Sequence, residues 1–155
     1  MAQLDSLVVA TGDLEQPSEN AVEAILLLMQ ETEALQARGD EMRDRGAAYF
    51  ETWEKELAAM STPEVVAMAT KRKNELSAMY AELLTGMQES RSALDAYWAD
   101  MKPIREAIEE GLTPETQALL VPQVKAAKEK AATLKSRVEA MFAKVNQVSL
   151  IYSKP

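Results

Sequence analysis

Apolar residues recur along this chain in steps that alternate between three and four, over three long stretches separated by two short breaks. That spacing places them on one face of a helix and is the heptad pattern of long packed helices. The organising stretch runs from Thr62 to Gly111. Thr62-Pro63-Glu64 is a helix start: a side-chain acceptor for orphan N–H groups, a proline whose φ is already helical, and an acid at the positive end of the dipole. Gly111 is a stop, because glycine adopts the left-handed conformation that ends helices. Between them a seam of apolar or small residues runs through Val65, Ala69, Leu76, Met79, Leu83, Met87, Ser90, Leu94, Tyr97, Met101, Ile104 and Ile108, with Arg72 occupying one slot. A second stripe, Tyr80, Leu84, Met87, Arg91 and Trp98, lies beside it and implies two neighbours. At about 1.5 Å per residue, a helix over 63–110 is roughly 70 Å long. The two steps of four at 79, 83 and 87 read as a stutter, and Pro103 predicts a kink near residues 99–103.

The stretch from Ser18, a plausible N-cap, to Met60 predicts another long helix. Its seam is Ala21, Ile25, Leu28, Thr32, Leu35, Gly39, Met42, Gly46, Tyr49, Trp53, Leu57 and Met60. Gly39 and Gly46 each cost about 1 kcal/mol of helix propensity relative to alanine. Either a neighbour passes close there, or they are weak points or hinges. Gly111-Leu112-Thr113-Pro114-Glu115 repeats the stop-and-start chemistry, so a third helix is expected over 114–148. Its seam is Leu120, Val124, Ala127, Ala131, Leu134, Val138, Met141, Val145 and Val148, and Pro122 predicts a break near Val121. Residues 1–17, with the apolar run Leu7-Val8-Val9-Ala10, read as a short N-terminal arm. Residues 149–155 form a tail apolar enough to pack against something. The expected fold is therefore all-α: a single helical domain over 1–155, an elongated three-helix antiparallel coiled-coil-like bundle running up-down-up.

Composition removes most chemistry from consideration. The chain has 155 residues, no cysteine and no histidine. That excludes disulfides and thiolate sites, and it removes the commonest general base and metal ligand. No run of 18 apolar residues predicts a transmembrane helix, and Met1 is not followed by a signal-peptide pattern. The net charge of −8 disfavours nucleic acid and anionic membranes as partners. The charge is uneven: −6 over 18–60, −3 over 63–110 and +3 over 113–150. In an up-down-up bundle, Lys125, Lys128, Lys135 and Lys144 of the third helix would then face acids of the first, such as Glu31, Glu33, Glu41 and Glu51.

A histidine-bearing di-iron site cannot be built here. Glu31, Glu33, Glu54, Glu56, Glu106, Glu109 and Glu110 are formal candidates for an all-carboxylate site, but solvated helix faces explain them. Lys71-Arg72-Lys73, with Lys125, Lys128 and Lys130, is too small a cluster for nucleic acid and reads as ion-pairing surface. The candidate interaction or core aromatics are Tyr49, Trp53, Tyr97 and Trp98, with Phe50 and Tyr80 nearby. They either fill wide layers of the bundle or line a ligand pocket. Nine methionines invite the same two readings, since Met29, Met42, Met79, Met87, Met101 and Met141 lie on or beside the seams.

Arg43-Asp44-Arg45, then Phe50, Trp53, Glu56 and Leu57, followed by Tyr80 and Leu83-Leu84, resemble the bacterial DUF2959 family of long helical proteins of unknown function. The likeness covers roughly residues 35–140. It implies a long coiled helical protein, many relatives of which are exported or lipid-anchored, and it implies no activity and no site residues.

These observations lead to a non-enzymatic structural or protein-interaction bundle that self-associates, with protein partners, a homo-oligomer, and no cofactor, metal or catalytic residue. The compartment is open: soluble and cytoplasmic, or periplasmic by the resemblance. One alternative is a phasin-like coat protein on an apolar granule or membrane surface, which is not the favoured partner. Another is a helical-bundle small-molecule carrier or enzyme.

Overall fold

The computed structural model describes residues 1–152, with side chains through Asn146. The described residues are all-helical, with four helices: α1 (Ala2–Val9), α2 (Glu15–Ala59), α3 (Pro63–Glu109) and α4 (Pro114–Tyr152). The fourth element corrects the expectation of three. It is α1, inside the segment read as an arm. Two leucines one turn apart, Leu4 and Leu7, give that segment an apolar edge, and both are buried. The expected tail falls at the limit of the described residues: α4 carries the backbone to Tyr152, while residues 153–155 and the side chain of Val148 lie outside them.

Helix ends follow local chemistry. Helix α2 begins three residues before the expected Ser18, because Asp13 Oδ1 accepts the Glu15 N–H at 3.0 Å and Ser18 N already donates to Leu14 O. Pro17 is tolerated there, since first-turn N–H groups have no helical acceptor. Gly111 ends α3 at φ +97°. Helix α4 opens with a reciprocal cap: the Thr113 N–H donates to Thr116 Oγ1 at 2.8 Å, and the Thr116 N–H donates to Thr113 Oγ1 at 3.3 Å.

Neither internal proline ends its helix. The break expected near Val121 does not occur, and α3 continues through Pro103. Pro103 and Pro122, and the Ala99 and Ala118 whose carbonyls they leave without a helical donor, are all exposed. Water can satisfy those carbonyls, so the helix tolerates the missing bond.

The chain packs as two compact units, and each of the three long helices contributes to both. The first unit holds residues 1–34 and 90–138. Its core joins α1 (Leu4, Leu7), α2 (Ala21, Ile25), α3 (Tyr97, Met101, Ile104, Ile108) and α4 (Leu120, Val124, Ala127). Helix α1 is tied down by Gln117, whose Nε2 donates to Leu7 O at 2.6 Å and Ala10 O at 2.9 Å. Thr32 is the buried polar residue of α2, and its hydroxyl donates to Leu28 O at 2.7 Å within its own helix.

The second unit holds residues 35–89 and the chain from Glu139 on. Within it α2 and α3 meet at Gly39 with Met87, at Gly46 with Tyr80, and at Glu54 with Lys73. Positions rise along α2 as they fall along α3, so the two helices are antiparallel here. Both glycines accommodate a large side chain rather than a hinge. A Cβ at Gly46 would overlap the Tyr80 ring, and one at Gly39 would lie 2.9 Å from Met87 Cε.

Candidate interaction surfaces

The four singled-out aromatics separate into two clusters. In the second unit, Tyr49 stacks edge-on against Phe50 (5.6 Å between centroids) and Trp53 (5.7 Å), and Phe50 continues to Tyr80 at 5.4 Å. Tyr49 is 55% exposed, while Phe50, Trp53 and Tyr80 are half-buried. The Tyr80 hydroxyl donates to Arg43 O at 2.8 Å, across the notch left by Gly46. Burial pushes its phenol pKa up, Arg43 lowers it, and Asp44 raises it. In the first unit Tyr97 is buried, 5.1 Å edge-on from Trp98, and its hydroxyl donates to Met1 Sδ at 3.5 Å. Desolvation raises its pKa. Tyr97 belongs to the first unit's core, with Trp98 packed against that core.

Several seam positions of α2 are not interior. Leu28, Leu35, Met42 and Tyr49 are exposed, as are Met60 just past the end of α2 and Val65 at the start of α3. In the second unit α2 turns Gln36, Gly39, Asp40, Gly46, Phe50, Trp53 and Leu57 inward instead. The heptad stripe is two residues wide, and only one edge of it meets α3. The other edge is a ridge of Leu35, Met42 and Tyr49, spaced by seven and exposed at 52%, 38% and 55%. Arg38 and Arg45 lie between successive ridge residues on the outward side, three residues after one and four before the next, and both are exposed.

The first unit carries the opposite feature. Between the start of α2 and the end of α3 lies an open groove of about 600 Å³. It is lined by the apolar residues Val22, Leu26, Leu27 and Ile108 and by Glu19, Glu23 and Glu109, with no basic residue among its lining. Leu26 and Leu27 are 43% and 57% exposed. None of the four aromatics lines it. The signal for it was the run Ile25-Leu26-Leu27-Leu28-Met29: five consecutive apolar residues cannot all face one seam of a helix.

The ion pairs are mostly superficial. Lys128 pairs with Asp5 at 2.6 Å, Lys130 with Asp100, and Lys144 with Glu82 at 3.5 Å. Thus Lys128 and Lys144, expected against acids of the Ser18–Met60 stretch, meet α1 and α3. For these two lysines the inserted α1 and an acid of α3 supply the partner. Lys73 pairs with Glu54 at 2.7 Å and lowers its pKa, first through the hydrogen bond and then through its charge. Arg105 Nε is buried 3.5 Å from Glu109 Oε1 without a hydrogen-bond partner. Among the described residues no three acidic side chains gather as a metal site, and no helix is long and apolar enough to cross a membrane.

Comparison with protein-family models, curated proteins and solved structures finds no match to this chain.

Proposed function

We propose that this chain is a non-enzymatic structural or protein-interaction bundle that self-associates through uncovered helix faces. In this reading α2, α3 and α4 run up-down-up in a coiled-coil-like manner, and α1 folds back as a fourth element. The DUF2959 resemblance of residues 35–140 belongs to the same proposal, since it implies a long helical protein and no activity. The observation that carries the reading is the ridge Leu35–Met42–Tyr49. Large apolar side chains at seven-residue spacing, left outside on a helix already packed on its other edge, are the half of a helix–helix seam that lacks its partner. The aromatics favour no carrier or enzyme, because they pack on one another and on core residues.

Sedimentation equilibrium across a hundredfold concentration range tests it. The expected result is an average mass that climbs above 17.1 kDa with concentration. A mass fixed at the monomer value throughout would remove the self-association.

A further inference from the structure

The ridge and the groove differ in the charged residues that flank their apolar side chains. The ridge projects leucine, methionine and tyrosine beside Arg38 and Arg45. The groove is lined by Val22, Leu26 and Leu27 together with Glu19 and Glu23. We infer that the ridge of one copy docks in the groove of a second copy, so that the contact joins two different surfaces and not one surface to itself. This rests on the self-association proposed above and specifies its surfaces.

Charge decides between the arrangements. Ridge against ridge would bring Arg38 and Arg45 toward the same arginines of the other copy. Groove against groove would face Glu19, Glu23 and Glu109 with their equivalents. Ridge into groove sets guanidinium groups against carboxylates around an apolar centre, and like-charge juxtaposition disfavours the other two. The charges are available for it. Among the described residues Arg38 and Glu23 take part in no ion pair, and Arg45 is 78% exposed despite its pair with Glu41. A contact of this kind closes as a reciprocal two-fold pair, each ridge in the other copy's groove, or continues to a larger ring or an open filament.

The test is a charge-swap experiment read by sedimentation velocity. R38E/R45E reverses the ridge and E19K/E23K reverses the groove; all four side chains are exposed, and circular dichroism checks that each variant remains helical. Each variant alone should associate at least about tenfold more weakly than the wild type, roughly the effect of 1.4 kcal/mol. A one-to-one mixture should recover the wild-type assembly, because acid ridges then meet basic grooves and basic ridges meet acid grooves. The wild-type assembly should also weaken as salt rises. If the wild type assembles but the reversals change nothing, or the mixture fails to recover, the ridge-in-groove contact is wrong while self-association stands. If the wild type is a monomer at every concentration, both fall. Ridge-dependent flotation of the monomer with phosphatidylcholine vesicles would assign the ridge to an apolar surface and overturn the contact as well.

Discussion

The two units are built from the same three long helices with the same three–four spacing, yet they bury very different amounts. All the fully buried apolar residues among those described lie in the first unit. In the second, the inward residues of α2, α3 and α4 are only half-buried. The seam of α4 shows the change within one helix: Leu120, Val124 and Ala127 are buried in the first unit, whereas Met141 and Val145 in the second are intermediate. What differs is α1. Its Leu4 and Leu7 supply a fourth wall, and Leu7 is fully buried. Heptad spacing thus states which residues can face inward, while the number of elements around them decides how far water is excluded.

The largest test of this comparison is to remove the fourth wall. Leu7→Ala should cost about 2–5 kcal/mol, the range for a fully buried leucine. Leu57→Ala, at a half-buried seam position of the second unit, should cost only about 1 kcal/mol, because less area leaves water there. Urea denaturation of both variants checks the ratio, and equal losses would mean that α1 is not what separates the units.

The sequence made most of this fold legible and hid one part. Thr62-Pro63, Gly111 and Thr113-Pro114 marked the breaks because their chemistry is local. The α4 seam was readable because its spacing has no fault. Helix α1 was not, since eight residues with two inward leucines carry too little periodic signal, and their burial depends on partners more than a hundred residues away, such as Gln117. The candidate surfaces were hidden for a related reason. Leu35, Met42 and Tyr49 satisfy the heptad rule as well as Gly39, Gly46 and Trp53 do, and only the position of α3 separates the covered edge from the open one.

The second unit offers a finer test. Its closest approach depends on two glycines with different neighbours. Gly46→Ala gains about 1 kcal/mol of helix propensity, but the methyl group meets a rigid ring held by a hydrogen bond to Arg43 O. A net loss of about 1–3 kcal/mol is expected, as for other overpacked sites. Gly39→Ala meets only the flexible end of Met87 and should be close to neutral or stabilising. Thermal melts of the two variants would show the order, and a reversed order would remove Tyr80 as the element that sets the helix spacing.

The smallest effect concerns pH. Burial raises the Tyr97 pKa in the first unit, so the fold favours the neutral phenol. That contribution is complete below about pH 10 and is lost as pH climbs from there through the raised value. Tyr97→Phe should therefore unfold at a higher alkaline pH than the wild type, followed by circular dichroism. Tyr80→Phe should shift the alkaline midpoint less, because its phenol is less buried and Arg43 opposes the rise. A larger shift from Tyr80 would contradict the contrast in burial between the units.

The paired notches have a consequence for sliding. Gly39 and Gly46 are seven residues apart on α2, and Met87 and Tyr80 are seven apart on α3. A displacement of seven residues, about 10.5 Å, would seat Tyr80 at Gly39 in one direction and drive it into Trp53 in the other. Only the first alternative keeps Tyr80 opposite a glycine. In that register, however, Lys73 would face Gly46 and leave the Glu54 partner it now holds at 2.7 Å. Lys73 is 18% exposed, so its ammonium group would move into a gap without a carboxylate. A pair that adds little to stability then acts as the index mark of the α2–α3 pair, distinguishing the two alignments that set Tyr80 opposite a glycine.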